Sequence, residues 1–175
     1  MHFQKIGFIG LGIMGKPMAA RLIQGGYPVF LHSRSGVPDE LIAAGGNACH
    51  SPAEVAEKAD IVILMLPNTA DVEAVLFADD GVAVGLVATQ PYDLSTHKIV
   101  VDMSSISPGK TCLFADCITE LGHDYADAPV SGGQIGAQQG TLTIMVGATQ
   151  AVFGRIHPLL ALPNSCRQDK VHLLC

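Results

Sequence analysis

The sequence has few charged residues, no long apolar run and no cysteine framework, and each shortage excludes a class of protein. Charged residues make up 15% of the 175 residues, and 10 Lys and Arg against 16 Asp and Glu leave a net charge of −6. Because no block of basic residues exists to neutralise phosphates, we expect no nucleic-acid partner. No apolar run reaches the roughly 18 residues of a transmembrane helix, so we expect no membrane span.

The five cysteines follow no pattern that predicts a disulfide framework or a zinc site. Their number is odd, and no histidine or second cysteine pair completes a zinc pattern. We therefore interpret them as reduced thiols of a cytosolic protein, and we predict no metal. The N-terminal apolar stretch contains three glycines and no small-residue cleavage site, so it does not resemble a secretory signal peptide.

What the sequence does have is a regular alternation of short apolar runs and helical patterns. Apolar residues make up 49% of the chain, which is enough to bury a core. Strands are predicted at 5–9, 29–32, 61–66, 99–102, 125–128 and 142–146, and most are followed by a helical pattern. This alternation predicts an α/β fold of the Rossmann type, a doubly wound and mostly parallel sheet with helices on both faces.

Local signals predict where several elements begin and end. Residues 51–54 form a capping box, and Thr69 and Thr149 are predicted to cap later helices. Residues 81–97 are predicted to be mostly loop. From residue 163 the alternation stops, so we predict one domain over 1–162 and a divergent tail over 163–175.

A glycine motif lies between the first predicted strand and the first predicted helix. Residues 10–15 read G-x-G-x-x-G, and in this context the pattern predicts a loop that binds the diphosphate of a dinucleotide. The first glycine allows a tight turn, the second lets the backbone approach the diphosphate, and the third lets the helix pack close to the strand. The helix N-terminus then offers N–H groups and a partial positive charge. The predicted loop residues are Gly10, Leu11, Gly12, Ile13, Met14 and Gly15.

The same residues begin a second pattern, the G-x-x-x-x-G-K of a P-loop, which binds nucleoside triphosphates. A P-loop needs a Ser or Thr after the lysine to hold Mg²⁺, and here Pro17 follows Lys16. Proline has neither a hydroxyl nor an N–H, so triphosphate hydrolysis is disfavoured.

The residues after the second predicted strand bear on the choice between NAD and NADP. About 20 residues beyond the glycine motif, an acidic residue would bind the ribose 2′-hydroxyl of NAD. Ser33, Arg34 and Ser35 stand there instead. Neither serine repels a phosphate, and the Arg34 guanidinium can pair with one and stack on adenine. The prediction is NADP in preference to NAD, with a solvated surface arginine as the alternative interpretation.

Several further motifs, in order along the chain, resemble the β-hydroxyacid dehydrogenase family. They are GFIGLGIMGKPM at 7–18, MLPN at 65–68, DMSSISP at 102–108, DAPVSGG at 127–133 and GTL at 140–142. The resemblance extends from about residue 5 to about residue 162. It implies an oxidoreductase that moves a hydride between a nicotinamide and a small 3-oxo or 3-hydroxy acid, such as 2-hydroxy-3-oxopropionate.

The resemblance also implies roles at the cofactor. The turn formed by Leu66, Pro67 and Asn68 would lie against the adenosine and ribose, at the carboxyl end of a parallel strand, where ligands bind in such sheets. Ser105 would contact the cofactor through its hydroxyl.

Further residues are implied at the substrate. Ser131, Gly132 and Gly133 would bind it, since a hydroxyl and two glycine N–H groups can hold a carboxylate or hydroxyl without steric obstruction. Asp102 and Asp127 could be mistaken for a paired-carboxylate site. We interpret them as strand-end residues that orient the backbone and loops, not as acid–base catalysts.

One family motif has no counterpart in these 175 residues. The resemblance implies a G-x-x-x-K-x-x-x-N segment whose lysine handles the substrate's proton, and none of the lysines at 5, 16, 58, 98, 110 and 170 matches it. We therefore expect a chain without the family's C-terminal all-α domain, as after a premature stop or a change of reading frame, and nearly inactive alone. We also expect self-association or a homo-oligomer, because the missing domain would leave apolar surface exposed.

Two other functions stay open. A dinucleotide-binding module without turnover, or a pseudogene-type fragment, would explain the missing lysine. A methyltransferase with a similar glycine loop is a weaker alternative, because Arg34 stands where an acidic residue would normally hold an unphosphorylated ribose.

Overall fold

A computed structural model describes residues 4–89, 97–162 and 171–174 of the chain as alternating strands and helices. The strands are β1 (Ile6–Ile9), β2 (Val29–His32), β3 (Asn47–Ala48), β4 (Ile61–Leu64), β5 (Ile99–Asp102), β6 (Asp124–Asp127), β7 (Val130–Ser131), β8 (Thr143–Gly147) and β9 (Val171–Leu174). The helices are α1 (Gly15–Gln24), α2 (Asp39–Ala43), α3 (Pro52–Lys58), α4 (Thr69–Phe77), α5 (Val82–Ala88), α6 (Pro108–Glu120), α7 (Gly133–Gln139) and α8 (Gln150–Leu160). Each of the six predicted strands is present, with ends within two residues of the prediction.

The strands form one sheet in the order β3-β2-β1-β4-β5-β6-β8-β7, and β9 also pairs with β8. The first six strands of this order are parallel to one another. β8 runs antiparallel to β6 and β7 and parallel to β9. The prediction of a doubly wound, mostly parallel sheet is therefore confirmed. The chain reverses its direction of travel across the sheet between β1 and β4, and ligands bind beside the carboxyl ends of such a strand pair.

The central strands are buried on both faces, which explains the unbroken apolar runs in the sequence. In β4, Ile61 and Ile63 belong to the core that includes residues of α1 and α8. Val62 and Leu64 belong to the second core, which includes residues of α3, α4, α5 and α6. The two cores hold the sheet rigid and fix where the loops leave the ends of its strands.

Three helix starts test the predicted caps. The Ser51 hydroxyl accepts a hydrogen bond from the Glu54 amide at 3.1 Å, as the capping box predicts. Thr149 caps α8 in the same way. Thr69 does not cap α4: it is the first helical residue, and the Asn68 side chain is the cap. An Asn or Asp side chain reaches the N3 amide well, which explains why the cap lies one residue earlier than predicted.

The prediction that residues 81–97 are mostly loop is wrong for their first half, because Val82–Ala88 forms helix α5. Gly85 faces α3, where an added Cβ would collide with the carbonyl oxygen of Ala53. The glycine thus lets two helices approach closely, and tertiary packing stabilises a short helix that contains a poor helix former. Residues 90–96 of the predicted loop lie outside the described residues.

Short elements at the far edge of the sheet were not predicted. Val171–Leu174 forms β9 beside β8, in a segment where the sequence analysis places no strand. Ser131 ends the two-residue strand β7, and Gly133 begins α7. The boundary at residue 162 stays a prediction, since residues 163–170 lie outside the described residues.

Helices of membrane-spanning length and apolarity are not found within the described ranges of the chain.

Candidate functional site

A cleft of about 740 Å³ lies at the carboxyl ends of β1, β2 and β4. The turns that follow these three strands form its walls, and they contain most of the residues predicted to bind a cofactor. Those residues are Gly10, Leu11, Gly12, Ile13, Met14, Gly15, Ser33, Arg34, Ser35, Leu66 and Pro67.

Each glycine of the β1–α1 turn has a distinct steric setting. Gly10 has a φ of 99°, and a Cβ on it would collide with the carbonyl oxygen of Met65. A Cβ on Gly15 would collide with the carbonyl oxygen of Gly10. A Cβ on Gly12 would meet no atom within 4 Å, so this residue leaves its backbone open to the cleft. Tight turn, close approach and close packing are the three conditions that the motif predicts.

The N-terminus of α1 adjoins the cleft without a side-chain cap. Met14 occupies the cap position, makes no side-chain cap hydrogen bond, and is followed by a first turn with no acidic residue. In the first turn of α1 the Lys16 amide donates to the carbonyl oxygen of Gly12 at 3.0 Å, and Pro17 has no N–H. The amides available to an anion are therefore those of residues 12–15, at the end of the helix that carries a partial positive charge. This end of α1 is therefore suited to bind an anionic group.

Arg34 lies at the edge of the cleft, with 92% of its side chain exposed. Its Nη1 atom is 3.5 Å from Oδ1 of Asp71, on the first turn of α4. The Ser33 and Ser35 hydroxyls are 3.3 Å apart. A guanidinium this exposed, held by one weak ion pair, can turn toward an anion in the cleft.

Two residues predicted at the cofactor are not among those that line the cleft. Asn68 instead caps α4: its Oδ1 accepts from the Asp71 amide at 2.9 Å, and its Nδ2 donates to the Asp71 carboxylate at 2.8 Å. Ser105 is exposed on the segment after β5.

The predicted substrate residues lie at a separate place, where β7 leads into α7. Ser131 is exposed, and Gly132 and Gly133 have φ values of 135° and 60°. These backbone conformations are unfavourable for other residue types, which explains why two glycines occur together. The residues line no part of the 740 Å³ cleft.

Two carboxylates sit side by side at the ends of β5 and β6. Asp102 and Asp127 are paired in register, and Asp102 is fully buried. Burial raises the pKa of Asp102, although hydrogen bonds from Ser104 and Tyr125 lower it in part. Burial, and then the charge of Asp102, raise the pKa of Asp127 to about 6. Sequence reasoning assigned both to strand ends but gave no role to Ser104, which lies within the DMSSISP motif, or to Tyr125.

No lysine within the described ranges lines the cleft. Lys98 donates to three carbonyl oxygens at the end of α3, at 2.5, 2.8 and 2.9 Å. The other lysines with a described side-chain partner pair with glutamates: Lys16 with Glu40, Lys58 with Glu54 and Lys110 with Glu73.

The family to which this chain is related follows from its sequence as a whole. The sequence of residues 5–168 matches the protein family described as the NAD binding domain of 6-phosphogluconate dehydrogenase. The chain belongs to this family. The match confirms the resemblance to the β-hydroxyacid dehydrogenases, which are oxidoreductases, and it confirms a domain that binds NAD or NADP.

Similar proteins are found among curated sequences and solved structures. The 2-hydroxy-3-oxopropionate reductase of Escherichia coli strain K12 is 47% identical over 158 residues, which cover 90% of this chain and 51% of the reductase. The structure of Mycobacterium tuberculosis 3-hydroxyisobutyrate dehydrogenase with L-serine has a TM-score of 0.79 at 30% identity, over 99% of this chain and 54% of that one. A structure of Psf3 with NADP+ and 2-OPP has a TM-score of 0.81 at 28% identity, over 97% and 56%. The chain therefore spans about half the length of these relatives.

Proposed function

We propose that the cleft binds NADP(H) in preference to NAD(H), with the diphosphate at the N-terminus of α1. The observation that carries this proposal is the uncapped helix end beside Gly12, whose backbone is open to the cleft. Backbone N–H groups of the glycine turn, at the partly positive N-terminus of a helix, bind phosphate without any side chain. Leu66 and Pro67 then flank the adenosine and ribose.

The preference for NADP rests on Arg34. A 2′-phosphate carries up to two negative charges and accepts paired hydrogen bonds from a guanidinium. Asp71 is the acidic side chain nearest to this guanidinium, and it competes with the phosphate only through an exposed ion pair. Such pairs contribute about 0–1 kcal/mol, so the phosphate displaces it readily.

Titration of the chain with NADPH and with NADH, followed by nucleotide fluorescence, tests this preference. Arg34→Ala should weaken NADPH binding by about 10- to 100-fold, the size of a lost charge-assisted hydrogen bond, and should leave NADH binding within about twofold. Lys58→Ala removes the same charge outside the cleft and should change neither. Equal losses for both nucleotides on Arg34→Ala would refute the selectivity.

We also propose that the chain is the dinucleotide-binding part of a reductase that acts on a small 3-oxo acid such as 2-hydroxy-3-oxopropionate. The identity to the Escherichia coli reductase supports this substrate class. Ser131, Gly132 and Gly133 would bind the substrate carboxylate, with Ser105 at the cofactor. The nicotinamide supplies the hydride, and the protein supplies position and charge.

A non-catalytic dinucleotide-binding module is the second candidate, favoured by the sequence, in which none of the lysines at 5, 16, 58, 98, 110 and 170 stands in a G-x-x-x-K-x-x-x-N motif. General acid–base catalysis contributes about 10²–10⁴-fold, so a chain without its proton donor should turn over slowly. NADPH oxidation with 2-hydroxy-3-oxopropionate separates the two. Nucleotide binding without turnover supports the module, whereas turnover at the rate of the Escherichia coli reductase would rule it out.

Exposed apolar side chains support the proposal that the chain self-associates. Ile13 is 70% exposed and Ile135 is 66% exposed. These residues belong to the α1–α7 side of the molecule, where Arg21 donates to the carbonyl oxygen of Ala137. Large apolar side chains that stay exposed in one subunit are commonly covered at an interface. Light scattering at increasing protein concentration should show a rising mass, and a constant monomer mass would contradict the proposal.

A further inference from the structure

A buried carboxylate lies behind the wall of the cleft and touches none of its open surface. Asp102 ends β5 and is fully buried. Its Oδ1 accepts a hydrogen bond from the Ser104 amide at 2.9 Å, and its Oδ2 accepts one from the Tyr125 hydroxyl at 3.0 Å. A buried acceptor with two fixed donors has little freedom to move, so the loop after β5 is held rigidly at this point.

The next contact reaches the wall of the cleft itself. Ser104 is buried, and its hydroxyl oxygen accepts a hydrogen bond from the backbone amide of Leu66 at 2.9 Å. Leu66 lines the cleft. Ser104 is itself held by Asp102, whose carboxylate accepts the hydrogen bond from its backbone amide.

The β4–α4 turn in turn contacts the glycine turn. The carbonyl oxygen of Met65 and the side chain of Leu66 lie against Gly10, at distances that leave no room for a Cβ there. A continuous set of contacts therefore joins the buried carboxylate to both backbone turns that form the walls of the cleft. Packed elements of this kind transmit a displacement, because a close-packed interior has no empty space to absorb it.

We propose that Ser104 and Asp102 are positioning residues for the dinucleotide: they hold the β4–α4 turn at the distance from the glycine turn that the adenosine half requires. The inference rests on the proposed nucleotide site. Neither residue touches the nucleotide, and both act through the Leu66 amide. Since this turn faces the part that NADP and NAD share, losing the hydrogen bond weakens the two cofactors alike.

The test compares Ser104→Ala with Ser104→Thr. Alanine removes the acceptor for the Leu66 amide, and threonine keeps it. We expect Ser104→Ala to raise the Kd of NADPH and of NADH together, by about two- to tenfold, the range of one net hydrogen bond. Ser104→Thr should recover most of the affinity. Amide hydrogen exchange at Leu66 should be faster in the alanine variant.

Thr149→Ala is the matched control. Its hydroxyl also accepts a hydrogen bond from a backbone amide, that of Val152 at 3.3 Å, but it lies at the start of α8 and does not line the cleft. It should lower thermal stability as much as Ser104→Ala, with both Kd values unchanged. Asp102→Asn is the second variant, since one of the two donors to the carboxylate then loses its acceptor; it should also raise both Kd values.

The outcomes separate the two proposals. Wild-type protein that binds neither nucleotide overturns the proposed function and this inference together. Wild-type binding with a Ser104→Ala Kd within twofold of wild type overturns the inference alone. A loss confined to NADPH also contradicts it, because the selective contact belongs to Arg34 and not to this turn.

Discussion

At the scale of single residues, Gly12 and Gly15 of the glycine motif have different roles. A Cβ on Gly15 would collide with the Gly10 carbonyl, whereas a Cβ on Gly12 would meet no atom within 4 Å. Gly15 is needed for the fold, and Gly12 is needed only when a ligand occupies the cleft. The motif predicts these two roles, and the steric surroundings of the two residues agree with them.

This difference can be measured with two alanine variants. Gly15→Ala should lower the free energy of unfolding by about 1–3 kcal/mol, because the overlap is with backbone that cannot move aside. Gly12→Ala should unfold like wild type yet bind NADPH at least about tenfold more weakly, since its methyl group enters the space of the diphosphate. Gly154→Ala, on the exposed side of α8, is the control: it should lose neither stability nor binding. Full NADPH binding by Gly12→Ala would contradict the proposed diphosphate position.

Asp127 makes the stability of the fold depend on pH. Its pKa rises from 3.8 in the unfolded chain to about 6 in the fold, so its contribution to stability is complete below pH 4 and is lost as the pH rises through 6. Asparagine does not ionise, so Asp127→Asn does not lose this stability as the pH rises. The free energy of unfolding of the variant minus that of the wild type should therefore increase by about 1–2 kcal/mol from pH 4 to pH 7, allowing for solvent screening.

Urea unfolding of the two proteins at several pH values gives this difference directly. The comparison cancels the contribution of His123, whose buried ring has a lowered pKa and opposes Asp127 by stabilising the fold as the pH rises toward 6.5. A difference that stays constant from pH 4 to 7 would show that Asp127 ionises normally.

At the scale of elements, the strands buried on both faces were predictable and the helix α5 was not. β4 shows itself in the sequence as Ile61–Leu64, four apolar residues that divide between two cores. α5 offers an apolar run interrupted by Gly85, which by intrinsic propensity is a poor helix. Its stability comes from contact with α3, and a contact between distant segments leaves no local signal.

Gly85→Ala tests that contact. The added Cβ would overlap the Ala53 carbonyl oxygen and approach the Ala56 side chain at 2.9 Å. Although alanine favours a helix, we expect the variant to be less stable by about 1–3 kcal/mol, because overpacking outweighs propensity. Val84→Ala, on the exposed part of the same helix, should change stability by less than about 1 kcal/mol. A Gly85→Ala variant more stable than wild type would mean that α3 and α5 pack less closely.

The candidate site was predictable to a similar extent. The turns after β1 and β2 carry motifs whose chemistry is local, and the structure brings them together at one cleft. The Asn68 side chain caps α4, a role that the sequence analysis did not assign, and its contact with the cofactor stays a prediction. Ser104 was part of a quoted motif but was given no role, because its hydrogen bond reaches a residue 38 positions away. Partners distant in sequence can be identified only once the strand order is known.

At the scale of the whole molecule, the sheet order explains why the candidate site lies at the carboxyl ends of neighbouring strands. β1 and β4 lie side by side, and the turns after them bound the cleft, with the Arg34 turn on the β2 side. At the amino ends of β5 and β6, Lys98 and His123 make structural hydrogen bonds. The chain spans about half the length of its relatives. The proposed substrate site lies away from the cleft, at the start of α7.

A crystal structure of the chain with NADPH tests the central claim most directly. The account predicts the diphosphate within hydrogen-bonding distance of the backbone amides at the N-terminus of α1, and the 2′-phosphate paired with the Arg34 guanidinium. A nucleotide bound elsewhere on the sheet, or no nucleotide bound at millimolar concentration, would contradict it.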